Sequence, residues 1–128
     1  EISSGLKGND IPEGVKNLTT RLMIANKNRA HQAEEIQRHI DGSPYPVILC
    51  GDFNDTPLSY TYRQLSRKLT DSFIEKGRGI GNTYIGEFPS FRIDYVLHSP
   101  TLYTVGYIRE DITLSDHYPI KVKIRKGS

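Results

Sequence analysis

The sequence predicts a single α/β domain, and three patterns support this fold class. A long stretch with apolar residues at spacings of three, four and seven predicts a helix in the first third of the chain. A continuous apolar run then predicts a buried strand, and segments with alternating apolar residues predict further strands near the C-terminal end. No long linker separates these segments, and 128 residues are enough for one domain of ordinary size.

The first predicted elements are a loop, a helix and a buried strand. Residues 1–16 are rich in glycine and hold a proline, so we expect a loop or mobile arm there. The helix is predicted from Asn17, a suitable N-cap, to about Ile40, because Gly42 and Pro44 follow. Residues 47–50 (Val-Ile-Leu-Cys) do not alternate in polarity, which predicts an interior strand covered on both faces.

A short second helix is predicted after this strand. Thr56 and Pro57 form an N-cap and first-turn pair, and the helix would reach about Lys68. Its inward-facing residues would be Leu58, Leu65 and Leu69.

The C-terminal part is predicted to hold a loop and three strands. Residues 77–82 are rich in glycine but lack the strand and helix that flank a phosphate-binding loop, so we interpret them as a flexible loop. Strands are predicted at residues 90–98, 102–108 and 120–124. The first would place Phe91, Ile93, Tyr95 and Leu97 on one face, and Lys121 and Lys123 predict a solvated face for the last.

Composition excludes several classes of protein. With 17 basic and 15 acidic residues the net charge is +2, so the sequence has no strong charge signature for binding nucleic acid. The single Cys50 excludes a disulfide framework and a thiolate zinc site. No apolar run approaches the roughly 18 residues of a membrane span, so we expect a soluble domain. The chain begins at Glu1 rather than methionine, which predicts a fragment of a longer protein.

Polar residues are concentrated in three clusters next to predicted strands. They are Gly51-Asp52-Phe53-Asn54-Asp55, Arg92-Ile93-Asp94-Tyr95 and Ser115-Asp116-His117-Tyr118-Pro119. Each has a structural interpretation: Asp52 as a turn former, Arg92 and Asp94 as an ion pair on the sheet surface, and His117 in an ordinary turn. Together the clusters supply the carboxylates, carboxamide and imidazole of a phosphoesterase site that uses a hard cation.

The three clusters, in this order and at these intervals, resemble the endonuclease/exonuclease/phosphatase superfamily, which has the DNase I-like fold. The resemblance covers about residues 17–124 and corresponds to the C-terminal half of a four-layer α/β sandwich. In that family the N-terminal half supplies an Asn, a metal-binding Glu and a further His, none of which is found here.

The resemblance implies a role for each matching residue. Asp52 would position and help to deprotonate the attacking water, and Asn54 would bind a phosphate oxygen or that water. His117 would contact the scissile phosphate, and Asp94 would orient and charge its imidazole. Asp116 would reach Mg²⁺ (or Mn²⁺), with Asp52 and Asn54 completing the metal site. We therefore expect the Asp52 and His117 side chains to lie within about 10 Å of each other.

The resemblance also implies a phosphate-ester substrate, which could be a nucleic acid, a phospholipid or a small phosphoester. Abasic-site nucleases typically carry a Trp just before the Arg-x-Asp-Tyr segment, whereas this chain has Phe91 there and no Trp. This favours phosphatase-like or lipid-phosphodiesterase-like members, or a nuclease of unknown preference. A DNA-repair-type nuclease and a non-catalytic α/β binding module are the alternatives.

Two further expectations concern the chain as a fragment. It would be inactive alone, because it lacks the metal-binding Glu of the family, and it would associate with itself through apolar surface left uncovered. Similar bacterial proteins place this domain behind hydrophobic N-terminal segments, so a membrane tether outside this sequence stays open.

Overall fold

A computed structural model describes residues 13–86 and 91–127 of the chain. Helices and strands alternate along the first part of these residues, and three consecutive strands follow the last helix. In chain order they are α1 (Glu13–Asp41), β1 (Ile48–Asp52), α2 (Tyr60–Ser66), β2 (Thr70–Asp71), α3 (Ser72–Lys76), β3 (Asp94–His98), β4 (Leu102–Arg109) and β5 (Ile120–Lys126).

The strands form two antiparallel sheets. In the first sheet β3 lies between β1 and β2, so it is the strand that holds the sheet together. The second sheet is the β4–β5 ribbon, which has a register shift between Thr104 and Gly106. The described elements therefore form a mixed α/β structure, which confirms the predicted fold class.

Helix α1 begins earlier than the sequence pattern indicates. Its first residue is Glu13, so the loop predicted for residues 1–16 is wrong at residues 13–16, and Asn17 lies inside the helix. Residues 1–12 lie outside the described part of the chain. A single glycine costs a helix only about 1 kcal/mol, and adding a turn to an existing helix is much cheaper than starting one. Gly14 therefore does not prevent α1 from extending toward the N-terminus.

Helix α2 is shorter than predicted and is capped by a different residue. The Ser59 hydroxyl accepts a hydrogen bond from the Tyr62 amide at 3.1 Å, so Ser59 rather than Thr56 is the N-cap. Thr56 and Pro57 belong to the preceding turn, in which the Ser59 amide donates to the Thr56 carbonyl at 3.0 Å. Leu65 and Leu69 are buried as predicted, but Leu58 lies in this turn and is 86% exposed.

The prediction that β1 is an interior strand is wrong for the described residues. Strand β1 pairs with β3 alone and forms an edge of its sheet. Ile48 is 52% exposed, and Cys50 is exposed as well. An apolar run shows that a strand has apolar side chains on both faces. Whether those side chains are buried depends on other elements of the fold that cover them.

The C-terminal strands agree more closely with the sequence. Strands β4 and β5 are confirmed, and alternate residues of β5 are exposed. Strand β3 is shorter than predicted: Tyr95 and Leu97 are buried, whereas Phe91 precedes the strand and is 43% exposed. Ser90, the predicted start, lies outside the described residues.

The hydrophobic core lies between the helices and the first sheet. It consists of Ala33, Tyr62, Leu65, Leu69, Tyr95 and Leu97, with Ile40, Leu49 and Phe53 packed against it. No helix in the described ranges is both long and apolar enough to cross a bilayer.

A buried ion pair lies beside this core, and it differs from the predicted one. Arg92 pairs with Asp71 at 2.7 Å rather than with Asp94, and both side chains are more than 90% buried. The Tyr62 hydroxyl donates to the same Asp71 oxygen at 2.7 Å. Asp71 also caps α3, because its other oxygen accepts from the Phe73 amide at 3.0 Å. A charge this deeply buried needs such partners, and Asp71 receives them from Arg92, from Tyr62 of α2 and from the first turn of α3.

Candidate active site

Two carboxylates meet at one end of the first sheet. The antiparallel register of β1 and β3 places Asp52 directly opposite Asp94. Like charges at opposed positions of a sheet are destabilising, by up to about 1 kcal/mol, so this pairing favours a cation or a proton donor nearby.

His117 lies between these two carboxylates. Its Nδ1 atom is 2.7 Å from Asp94 Oδ2, and its Nε2 atom is 3.7 Å from Asp52 Oδ2. The predicted convergence of Asp52 and His117 is therefore observed. The hydrogen bond to Asp94 raises the pKa of His117, and the negative charges of Asp52 and Asp116 act in the same direction. The imidazole is thus biased toward its charged form.

Backbone hydrogen bonds hold the loop that carries His117. The Ile85 amide donates to the Asp116 carbonyl, and the Tyr118 amide donates to the Thr83 carbonyl, both at 2.7 Å. Inside the loop the His117 amide donates to the Ser115 hydroxyl at 3.0 Å. These bonds fix the position of His117 although the loop itself belongs to no strand.

Asn54 lies in the turn that follows β1. The Asn54 backbone amide donates a hydrogen bond to Asp52 Oδ1 at 2.7 Å, which fixes the orientation of that carboxylate. Asn54 has a φ of 51°, the left-handed conformation that asparagine tolerates better than most residues. The Asn54 side chain is exposed, and no residue in the described part of the chain forms a hydrogen bond with its carboxamide group. The side-chain carboxamide is therefore available to a ligand.

Thr83 connects the two segments that carry Asp94 and His117. Its hydroxyl oxygen accepts from the Ile93 amide at 3.0 Å and from the Asp94 amide at 3.1 Å, and its carbonyl accepts from Tyr118. The residue is completely buried. Its position in the sequence is only a weak signal, since a threonine after a glycine-rich loop has many structural roles.

Replacing Thr83 with valine should therefore weaken both the fold and the site. Valine keeps the shape of threonine but leaves two amides without their acceptor, which should cost about 1–3 kcal/mol in the free energy of unfolding. Thr83→Ser keeps the oxygen and serves as the control. Chemical denaturation of both variants tests this, and equal stability of the two would contradict the role of the hydroxyl.

An open groove of about 420 Å³ passes over these residues. Its lining includes Asp52, Asp94, Ser115, His117, Tyr118, Pro119 and Ile120. Tyr118 was not predicted as a site residue, and Arg109 lies over its ring at 4.4 Å. Tyr118 belongs to the polar cluster at residues 115–119. Its contact with Arg109 could not be predicted from the sequence, because it depends on the β4–β5 ribbon.

The donor atoms of the site are suited to a hard cation. Ligand atoms of Asp52, Asp94 and His117 lie within 4.8 Å of one another. Asp116 is more exposed, and its Oδ1 atom is 3.8 Å from His117 Nε2. Asp94 is already paired with His117 Nδ1. The carboxylates that remain free to bind a cation near His117 Nε2 are therefore those of Asp52 and Asp116. One or two carboxylates with bound water are a common Mg²⁺ site, so the residues fit this ion.

Solved structures of similar proteins share this fold. A mannosyl-6-phosphatase from Bacteroides thetaiotaomicron is 26% identical, with a TM-score of 0.64 over 77% of this chain and 46% of that one. An endonuclease/exonuclease/phosphatase from Bacteroides vulgatus is 22% identical, with a TM-score of 0.69 over 79% of this chain and 45% of that one. The human Nocturnin catalytic domain is 19% identical, with a TM-score of 0.60 over 79% of this chain and 42% of that one. The chain thus spans less than half the length of these structures.

The sequence itself also matches a family model. No curated protein matches the sequence of this chain significantly. The model of the Endonuclease/Exonuclease/phosphatase family matches residues 7–117, which is most of the chain. Together with the DNase I-like structures and the arrangement of Asp52, Asp94 and His117, this match shows that the chain belongs to the endonuclease/exonuclease/phosphatase family.

Proposed function

We propose that this chain carries catalytic residues of a Mg²⁺- or Mn²⁺-dependent phosphoesterase. The strongest support is the position of His117, which is bonded to Asp94 through Nδ1 and faces Asp52 through Nε2. A binding module would gain nothing from two opposed carboxylates, which cost stability in a sheet. A catalytic role for Asp52 and Asp94 explains why the chain carries two carboxylates that lower the stability of the sheet.

In this proposal each side chain has a separate task. Asp52 positions the attacking water and accepts its proton as the water oxygen bonds to phosphorus and the ester P–O bond breaks. The side-chain amide of Asn54 donates a hydrogen bond to a phosphate oxygen or to this water. His117 donates from Nε2 to the scissile phosphate, whose negative charge grows in the transition state. Asp94 keeps the imidazole oriented and charged, as a carboxylate does in other His–Asp pairs.

Asp116, with Asp52 and Asn54, would hold the metal ion. The bound ion supplies positive charge that neutralises the phosphate oxygens.

For the substrate, we propose the phosphomonoester of a small hydroxylated molecule. The 26% identical structure named as a mannosyl-6-phosphatase supports this class. The net charge of +2 also favours a small substrate over a nucleic acid, since nucleic-acid affinity depends on many cationic contacts to phosphate.

Phosphate release by the complete gene product tests this proposal. We expect turnover of mannose 6-phosphate with Mg²⁺ or Mn²⁺, and at least a tenfold loss in EDTA that added Mg²⁺ reverses. Duplex DNA with an abasic site and a phosphodiester lipid serve as the comparison substrates. Faster cleavage of either would overturn the substrate class, and full activity in EDTA would overturn the metal requirement.

The 128-residue chain by itself is expected to associate and to lack turnover. Helix α1 exposes Leu18, Met23 and Ile24, each by more than half, and β1 leaves Ile48 on an edge without a partner among the described residues. Apolar patches of this kind and open strand edges promote association.

Light scattering and the phosphatase assay on this chain test that expectation. Ile48→Lys is the informative variant, because a charge on the edge strand should shift the chain toward monomer. A monomeric wild-type chain with measurable turnover would contradict the prediction.

A further inference from the structure

A second cavity lies beside the active-site groove. It has a volume of about 450 Å³ and is lined by the 77–82 loop, the end of α3 and the outer part of β4. Phe73 and Tyr107 contribute aromatic surface to it, and Lys76, Arg78 and Arg109 contribute positive charge.

The charge of this cavity is unbalanced. Asp111 is the one acidic residue in its lining, and it pairs with Arg109 at 3.0 Å. Neither Lys76 nor Arg78 has a carboxylate within 4.0 Å among residues 13–86 and 91–127. Unpaired cations in a concave site attract anions, because the protein walls concentrate the field there.

The shape of the cavity is set by close packing around Phe73. The Arg92 guanidinium lies 4.5 Å from the centre of this ring. A Cβ atom at Gly77 or at Gly81 would collide with the Phe73 ring. Gly81 also has a φ of 72°, which favours glycine. The loop can therefore take this path only with glycine at both positions.

The cavity is connected to the active site through two contacts. Arg109 lines the cavity, and its guanidinium lies 4.4 Å from the ring of Tyr118, which lines the groove. Arg109 also donates to the Asn82 side chain at 2.7 Å, and the next residue, Thr83, binds the Asp94 amide. The contact between Arg109 and Tyr118 thus makes the wall of the cavity adjacent to the wall of the groove.

We propose that this cavity binds a second phosphate group of the substrate, so that the preferred substrates are small molecules with two phosphates. This inference rests on the proposed phosphoesterase function. Arginine and lysine together suit a phosphate, because arginine binds two of its oxygens in a fork and lysine adds a compact charge. The glycine-rich loop takes part as the wall of the cavity, without the strand and helix of a nucleotide-binding loop.

The experiment compares three sugar substrates with the complete gene product. Glucose 6-phosphate has one phosphate, glucose 1,6-bisphosphate has two, and 6-phosphogluconate has a carboxylate as its second anionic group. We expect KM for the bisphosphate to be about tenfold lower than for the monophosphate, as two exposed ion pairs would produce. The Lys76→Ala/Arg78→Ala variant should remove this difference by raising KM for the bisphosphate about tenfold.

A matched variant controls for net charge. Arg21→Ala/Lys27→Ala removes the same two charges from α1, which packs on α2, and should keep the preference for the bisphosphate. Equal KM values for monophosphate and bisphosphate in the wild type would overturn the inference and leave the proposed function standing. An equal advantage for 6-phosphogluconate would overturn the assignment to phosphate.

A measurement without catalysis separates the two proposals. In EDTA, inorganic phosphate should shift the amide NMR signals of residues 76–82 in the wild type but not in the Lys76→Ala/Arg78→Ala variant. Absence of any phosphate release from all three sugars, with these shifts present, would overturn the proposed class of small phosphomonoester substrates while the anion site remained. Absence of the shifts would overturn the anion site.

Discussion

Replacing His117 with alanine is expected to lower phosphoesterase turnover of the complete gene product by about two to four orders of magnitude. The imidazole is held by Asp94 at 2.7 Å and faces Asp52, so alanine removes a charged hydrogen-bond donor from the centre of the site. Asp52→Asn should have an effect of similar size, because it removes the proton acceptor with almost no change in volume. Steady-state kinetics with Mg²⁺ on a phosphomonoester measure both.

His39 provides the control for this experiment. It is an exposed histidine on α1, and His39→Ala should keep normal turnover. Unfolding curves should show that Asp52→Asn is as stable as the wild type or more stable, since it relieves the repulsion across β1 and β3. Near-normal turnover of either active-site variant in the presence of Mg²⁺ would refute the proposed roles.

The largest effect on stability is expected from Asp71→Ala. This change leaves the buried Arg92 guanidinium without its carboxylate, removes the acceptor of the Tyr62 hydroxyl and deletes the cap of α3. Removing one partner of a buried ion pair typically costs about 3–5 kcal/mol, which is a large fraction of the stability of a domain. Chemical denaturation of the complete gene product measures the loss.

Asp111→Ala is the matched control for Asp71→Ala. Asp111 also pairs with an arginine, at 3.0 Å, but its side chain is 79% exposed. Water solvates both charges of an exposed pair, so this variant should differ from the wild type by no more than about 0.5 kcal/mol. Equal losses in the two variants would show that burial does not determine the cost of breaking these pairs.

The sequence predicted the convergence of polar side chains better than it predicted the packing around them. The polar residues at strand ends stood out because short polar motifs interrupt apolar segments, and Asp52, Asp94 and His117 do converge. The partner of Arg92 could not be predicted, because Asp71 lies 21 positions away in a two-residue strand that no periodicity reveals. Local pattern indicates that a charge is near a strand, but only the fold determines which carboxylate reaches it.

The elements show the same division between local and long-range information. The β4–β5 ribbon followed from alternation, which is a property of each strand alone. The edge position of β1 depends on which other strands are present, and the start of α1 depends on a small balance between glycine cost and helix extension. The first error therefore concerns a long-range feature, whereas the second concerns a local balance of free energies that the apolar pattern does not report.

The pairing of β1 with β3 couples folding to catalysis in a way that limits how this region can evolve. The alignment that buries Leu49 and Leu97 beside each other also sets Asp52 against Asp94 three residues further along β1. Because side chains alternate between the two faces of a strand, inserting or deleting one residue between Leu49 and Asp52 would turn the carboxylate to the opposite face. Changes of length should therefore be tolerated in the turns beyond this sheet but not within these few positions.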